Sequence, residues 1–311
     1  MRRHLYASTV IMAALTCAAQ ANSPVVKKVG VSVGSLGNPF YLATVNGVKA
    51  GIAASGLSIT PTVVSSDYDL QKQSSQITSF ISGGTQIIMM VPVDQKSSAG
   101  VVKRAKDAGV IVGSFDTTAP GADVSVSTDN VKAGEIACQY IVDRLGGHGN
   151  VVILNAEQVS AVVDRVTGCK SAFAKAPGIK ILSDDQNSKG SRDGGASVTM
   201  SLLQRFPDIQ AMFAVNDPAG LGAELAAKQQ NRKFIITSVD GAPDAEADLK
   251  KPDALLKATA AQSPFSMGKK SFELAYKIFQ GEKIEQKDIL LAPELVTSDN
   301  VGSYKGWAAG N

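Results

Sequence analysis

Lys28-Val29-Gly30-Val31-Ser32-Val33-Gly34-Ser35-Leu36-Gly37-Asn38-Pro39-Phe40-Tyr41 reads as a strand, a glycine-containing loop and the start of a helix. Val29, Val31 and Val33 are the β-branched residues of a buried strand. Asn38 is a good N-cap, and Pro39 suits the first helical position, where a missing N–H costs nothing. Leu42, Val45, Val48 and Ile52 continue at helical spacing. The aromatic pair Phe40-Tyr41 therefore stands at a helix N-terminus, beside the carboxyl end of the first strand. Ligands bind at that edge of an open α/β sheet.

Outward from this unit, strands and helices alternate. Ile59–Val64 reads as a strand, Leu70–Ile81 as a helix, Gln86–Val91 as a strand, Ser97–Ala108 as a helix and Val110–Phe115 as a strand that delivers Asp116. The rhythm breaks at Ala119-Pro120-Gly121, followed by a short strand at Val124–Ser127 and a helix over Val131–Leu145. A second series then starts, with strands at Val151–Leu154, Ile179–Leu182, Ala211–Val215 and Phe234–Val239 and helices between them. The last strand of that series delivers Asp240. A short helix near Ala245, a strand at Leu255–Thr259 and a helix over Phe265–Phe279 close the pattern. Such alternation implies parallel sheets with helices on both faces. With 311 residues, 44% of them hydrophobic and only 5% aromatic, the chain suits two modest, tightly packed α/β lobes.

Met1–Ala21 has the form of an export signal: Arg2 and Arg3, an apolar run over Tyr6–Ala19 too short to span a membrane comfortably, and Ala19-Gln20-Ala21 before a cleavage point near Asn22. A lipid anchor on Cys17 is disfavoured by Thr16, where a small Gly or Ala is usual. The whole chain has 31 basic and 28 acidic residues, but two of the arginines leave with the signal, so the mature balance of 29 to 28 is no nucleic-acid footprint. Cys138 and Cys169 remain. Export permits a disulfide between them, and two isolated buried thiols explain them equally well. Neither has metal-ligand spacing, and His148 is the only mature histidine.

Three chemistries compete for the strand ends. Gly34-Ser35-Leu36-Gly37 invites a dinucleotide site with Asp67 on the ribose, but the spacing is not Gly-x-Gly-x-x-Gly, and Pro39, Phe40 and Tyr41 crowd the helix end a pyrophosphate needs. Asp116 and Asp240 could form an acid/base pair, or merely cap turns. Hydroxyl recognition accounts for carboxylates and aromatics together: ionised carboxylates accept hydrogen bonds from a polyhydroxy ligand whose C–H patches pack on Phe40 and Tyr41. The chain lacks a Ser-His-Asp arrangement, a metal-ligand cluster and a Walker loop, so no cofactor, metal or catalytic role is expected. Arg165, taken alone, is an ordinary surface arginine; beside these features it offers a planar fork for ligand oxygens.

Taken together, Gly37-Asn38-Pro39-Phe40-Tyr41, Asp116, Thr128-Asp129-Asn130, Arg165-Val166-Thr167-Gly168, Phe213-Ala214-Val215-Asn216-Asp217, Val239-Asp240-Gly241-Ala242-Pro243-Asp244 and Thr259-Ala260-Ala261-Gln262 resemble the periplasmic sugar-binding proteins of the ribose-binding type, which serve ABC importers. The resemblance covers almost all of the mature chain. It implies the type I periplasmic binding protein fold: two doubly wound parallel-sheet lobes, 22–128 plus 262–290 and 129–261 plus 291–311, joined by a three-crossing hinge near Thr128, Gln262 and Leu291. It implies that Asn38, Asp116, Arg165, Asn216, Asp240 and Gln262 hydrogen-bond ligand hydroxyls while Phe40 and Tyr41 pack on the ring.

Two departures stand out. Thr117 replaces the arginine that follows the strand-end aspartate in the ribose-binding pattern, and Gly190 replaces an aromatic of the second lobe. Losing a guanidinium and a ring implies a ligand other than ribose, with smaller sugars and acyclic polyols as candidates. The expected protein is a periplasmic monomer that hands a small polyhydroxy ligand to a membrane permease, or else a module that reports a sugar-like signal to a receptor. A sugar-responsive repressor core shares the architecture but needs an N-terminal DNA-binding helix pair, where this chain has its signal sequence.

Overall fold

The structure, a computed structural model, describes residues 25–307. The export signal and Cys17 lie outside the described residues. β1 (Val29–Val33) is buried along its whole length, and α1 (Pro39–Ala54) starts where Asn38 accepts a hydrogen bond from the Phe40 N–H. There follow β2 (Thr62–Ser65), α2 (Leu70–Ser82), β3 (Ile87–Met90), α3 (Ser98–Asp107), β4 (Ile111–Phe115) and β5 (Val124–Thr128). The second series is α4 (Asn130–Arg144), β6 (His148–Leu154), α5 (Ser160–Ala174), β7 (Gly178–Ser183), α6 (Arg192–Arg205), β8 (Ala211–Ala214), α7 (Asp217–Gln229), β9 (Ile235–Asp240), α8 (Pro243–Leu249) and β10 (Leu256–Ala261). The chain ends with α9 (Pro264–Phe279), β11 (Asp288–Leu291) and β12 (Glu294–Thr297).

These strands form two six-stranded sheets of the same winding, ordered β11-β5-β4-β3-β1-β2 and β12-β10-β9-β8-β6-β7. Every pairing is parallel except β10 with β12, an antiparallel edge. The two α/β lobes expected from the alternation are thus present. Each sheet carries an apolar core on both faces, with Ile87, Met89 and Phe115 on one side of the first lobe and Ile88, Met90 and Val112 on the other. Leu42 is an exception to the helical stripe. Val45, Val48 and Ile52 are buried, whereas Leu42 is 45% exposed. β11 and β12 have no counterpart in the sequence reading: each is four residues long, and only Ala292-Pro293 separates them.

The chain passes between the sheets three times, at Asp129, at Gln262-Ser263 and at Ala292-Pro293. Hydrogen bonds tie these crossings together. The Thr128 hydroxyl donates to Gln262 Oε1 at 2.7 Å, and the Asp129 N–H donates to the Leu291 carbonyl at 2.9 Å. Of the two alternatives left open for the cysteines, the structure shows the disulfide. Cys138 and Cys169 are joined, with Cα atoms 5.0 Å apart, and so bind α4 to α5. Those helices also meet through reciprocal glycines. A Cβ on Gly134 would stand 1.8 Å from the Arg165 carbonyl oxygen, and one on Gly168 would stand 1.8 Å from that of Val131. Side chains here would push the helices apart, so the glycine of Arg165-Val166-Thr167-Gly168 sets the depth at which Arg165 sits.

Candidate functional site

Parallel strands present their carboxyl ends along one edge, and here the edges of both sheets face a shared cavity of about 660 Å³. Asn38, Phe40, Tyr41, Asp116, Thr117, Arg165, Asn216, Asp240 and Gln262 all line it. Its size is within the range of small-molecule clefts.

On the first lobe, Phe40 is buried, and its ring meets Tyr41 edge-on at 5.8 Å between centroids. Tyr68, from the loop after β2, packs against Tyr41 at 6.4 Å. Burial, with the Asp116 charge nearby, holds the Tyr41 hydroxyl well above its ordinary pKa. Asp116 leaves β4 with φ of +67°, a left-handed conformation that is uncommon for a non-glycine residue. It lines the cavity, and among the described residues no group donates a hydrogen bond to its carboxylate. Desolvation raises its pKa to about 7, the Arg165 charge opposes the rise and Asp240 adds to it. Thr117 lines the cavity beside it and brings no charge.

The second lobe is wired together in advance. Arg165 donates from Nε to Asn130 Oδ1 at 2.8 Å, and from Nη1 to the Val215 carbonyl at 2.8 Å and to Asp240 Oδ1 at 3.3 Å. Gln262 Nε2 also donates to Asp240 Oδ1, at 2.8 Å. Asp240 has φ of +138°, a strained position held by its neighbours. Its pKa is raised by burial, against the pull of Arg165 and Gln262. Behind it Asp217 is fully buried and accepts from Ser238, Thr259 and the Ala242 N–H. Burial and the Asp240 charge still push it to about 7. Asn216 caps α7 through the Ala219 N–H and donates Nδ2 to the Gly190 carbonyl. A Cβ on Gly190 would stand 2.9 Å from that Nδ2, and φ there is +59°, so a ring is not accommodated at this position without displacing Asn216.

Trp307 supplies an aromatic from elsewhere. It touches both lobes. The indole N–H donates to the Asp240 carbonyl at 2.8 Å, and the ring meets Phe40 edge-on at 5.3 Å. Tyr304 donates to the neighbouring Gly241 carbonyl at 3.0 Å. Trp307 is the only tryptophan of the chain, a signal that could have drawn attention to it. Also unforeseen were Tyr68, the Val91–Lys96 loop after β3 and Gln158–Val162 at the start of α5. All of these lie beyond the carboxyl ends of parallel strands or at the helix starts that follow them, where the general rule for α/β sheets would have found them. Among the described residues no group of three or more His, Cys, Asp and Glu could hold a metal ion.

Comparison with known proteins agrees with this geometry. The family described as "Periplasmic binding protein domain" matches residues 29–283. The ribose import binding protein of Bacillus subtilis is 32% identical over 267 residues, covering 83% of this chain and 83% of that protein. A xylitol-binding protein of Mycolicibacterium smegmatis is 31% identical over 242 residues, 76% of this chain and 68% of the relative. Among solved structures, an ABC transporter solute-binding protein from Bacillus halodurans with bound myo-inositol superposes with a TM-score of 0.81 at 25% identity, over 92% of this chain and 99% of that one.

Proposed function

Since the chain belongs to the periplasmic binding protein family, we propose that it captures a monosaccharide or polyol between its lobes and delivers it to the membrane permease of an ABC importer. The observation that carries this reading is the convergence of aromatic rings, Asp116, Arg165 and Asp240 from both lobes on one cavity. Rings pack against the C–H faces of a hydroxylated ligand, and carboxylates and the guanidinium bond its hydroxyls. The three crossings form the hinge between lobes 22–128 plus 262–290 and 129–261 plus 291–311.

The ligand completes its contacts only when both walls meet around it, so its affinity for the closed form sets how much of the protein is closed. The permease then reads the closed shape, and no bond of the ligand is made or broken. The protein acts as a monomer in the periplasm after export through Met1–Ala21, with no nucleic-acid partner. The alternative, a module that feeds a sugar-like signal to a chemotaxis or sensor receptor, uses the same cleft and closure.

Calorimetric titration with pentoses, hexoses, tetritols, pentitols and inositols tests the reading. Binding of at least one, weakened on the order of a hundredfold in Asp240→Ala, is expected; silence across the panel overturns it. Uptake in cells lacking this chain separates transport from signalling.

A further inference from the structure

The cleft is not balanced in charge. Its lining holds Asp94, Asp116 and Asp240 against Lys96 and Arg165. Asp94 and Lys96 are exposed at the rim and offset each other. Inside, two carboxylates share one guanidinium, and Arg165 spends its only bond to a carboxylate on Asp240. Asp240 is further served by Gln262, whereas Asp116 has no donor among the described residues. The groups that face Asp116 are Arg165, Asp240 and the Tyr41 phenol. Thr117 stands at the neighbouring position, where a cation would have closed the account. The walls around this surplus negative charge are Phe40, Tyr41, Tyr68 and Trp307, and aromatic faces attract a cation.

We propose that the ligand carries a protonated amine among its hydroxyls, so that the cleft is built for an amino sugar, aminopolyol or aminocyclitol. The inference rests on the solute-binding reading above and narrows its ligand class. A neutral polyol offers Asp116 hydroxyl donors but no charge, so the lobes would close on two carboxylates served by one guanidinium. An ammonium supplies Asp116 with both the missing charge and up to three donors.

Trp307 gives the experiment a local reporter, since all tryptophan fluorescence of the chain arises in this cleft. The mature protein is titrated at neutral pH with matched pairs: amino-deoxy hexoses against the parent hexoses, and aminoalditols and aminocyclitols against the parent polyols. Heats of binding are measured in parallel. The amine should bind at least about tenfold tighter than its neutral partner in one or more pairs, the scale on which a neighbouring charge shifts a carboxylate. Thr117→Arg and Asp116→Asn, each first checked for native melting, should both shrink that ratio. A neutral partner that binds equally well or better in every pair overturns the inference and leaves solute capture standing. A ratio unchanged in both variants overturns the role given to Asp116. If no compound of either set perturbs Trp307 or releases heat, both the inference and the proposed function fall.

Discussion

The two walls of the cleft are made in opposite ways. The second-lobe wall, joined by Gln262 of the crossing, is a network in which Arg165, Asp240 and Asn216 each bond other protein groups. The first-lobe wall is rings and one bare carboxylate, Asp116. The difference is one of cost. The wired wall holds its shape without ligand, and the bare wall is destabilising until a ligand arrives. Stability and binding should therefore respond to substitution differently on the two sides.

Asp240→Ala should have the largest effect. It strands Arg165 in a buried site, and breaking such a pair costs about 3–5 kcal/mol. Both melting temperature and affinity should fall, the latter on the order of a hundredfold by calorimetry. Unchanged melting would show that the wired wall does not support the fold.

Next comes the Cys138–Cys169 disulfide, which lies only in the wired lobe. Its sequence separation of 31 corresponds to roughly 3.7 kcal/mol of chain entropy. Replacing both cysteines by serine should lower the unfolding transition by that amount in differential scanning calorimetry. Protection from hydrogen exchange should weaken in α4 and α5 and persist in β1 and β3.

Asp116→Asn probes the bare wall and should separate the two readouts: affinity falls while the unliganded protein holds or gains stability. The pH dependence has a definite sign. Asp116 and Asp217 are held at about 7 against an ordinary 3.8, so the folded protein keeps protons that the unfolded chain releases. The contribution of these two groups to stability without ligand should be fully present below the ordinary value, be lost as pH rises from there through about 7, by up to about 4 kcal/mol for each group, and stay lost above it. Urea melts across that range measure this. Asp116→Asn should flatten part of the slope, and an unaltered slope would assign it to Asp217 alone.

The smallest effect belongs to Trp307→Phe. It keeps a ring near Phe40 and removes the N–H bonded to the Asp240 carbonyl, a loss of about 1 kcal/mol, or roughly fivefold in affinity. A loss as large as that of Asp240→Ala would mean that the tail, and not Arg165 with Gln262, holds Asp240 in place.

Much of this was readable from local chemistry. Val29, Val31 and Val33, the Asn38-Pro39 cap and the recurrence of the same unit at Val151–Leu154 encode strand, turn and helix within a few residues of one another. The strand-end aspartates were legible for the same reason. Trp307 was not, because its partners Asp240 and Phe40 lie 67 and 267 positions away, and no periodicity encodes the path of a tail. Nor could sequence decide between a disulfide and two thiols. That depends on how closely α4 approaches α5, which Gly134 and Gly168 permit but only packing fixes.

The sequence by itself determined the alternation of elements, their caps and the residue types at the strand ends, because each of these follows from interactions among near neighbours along the chain. Which carboxylate is paired and which is bare was decided only when the two sheets met. Charge compensation depends on distances of a few ångströms between residues as far apart in the chain as Asp116, Arg165 and Asp240.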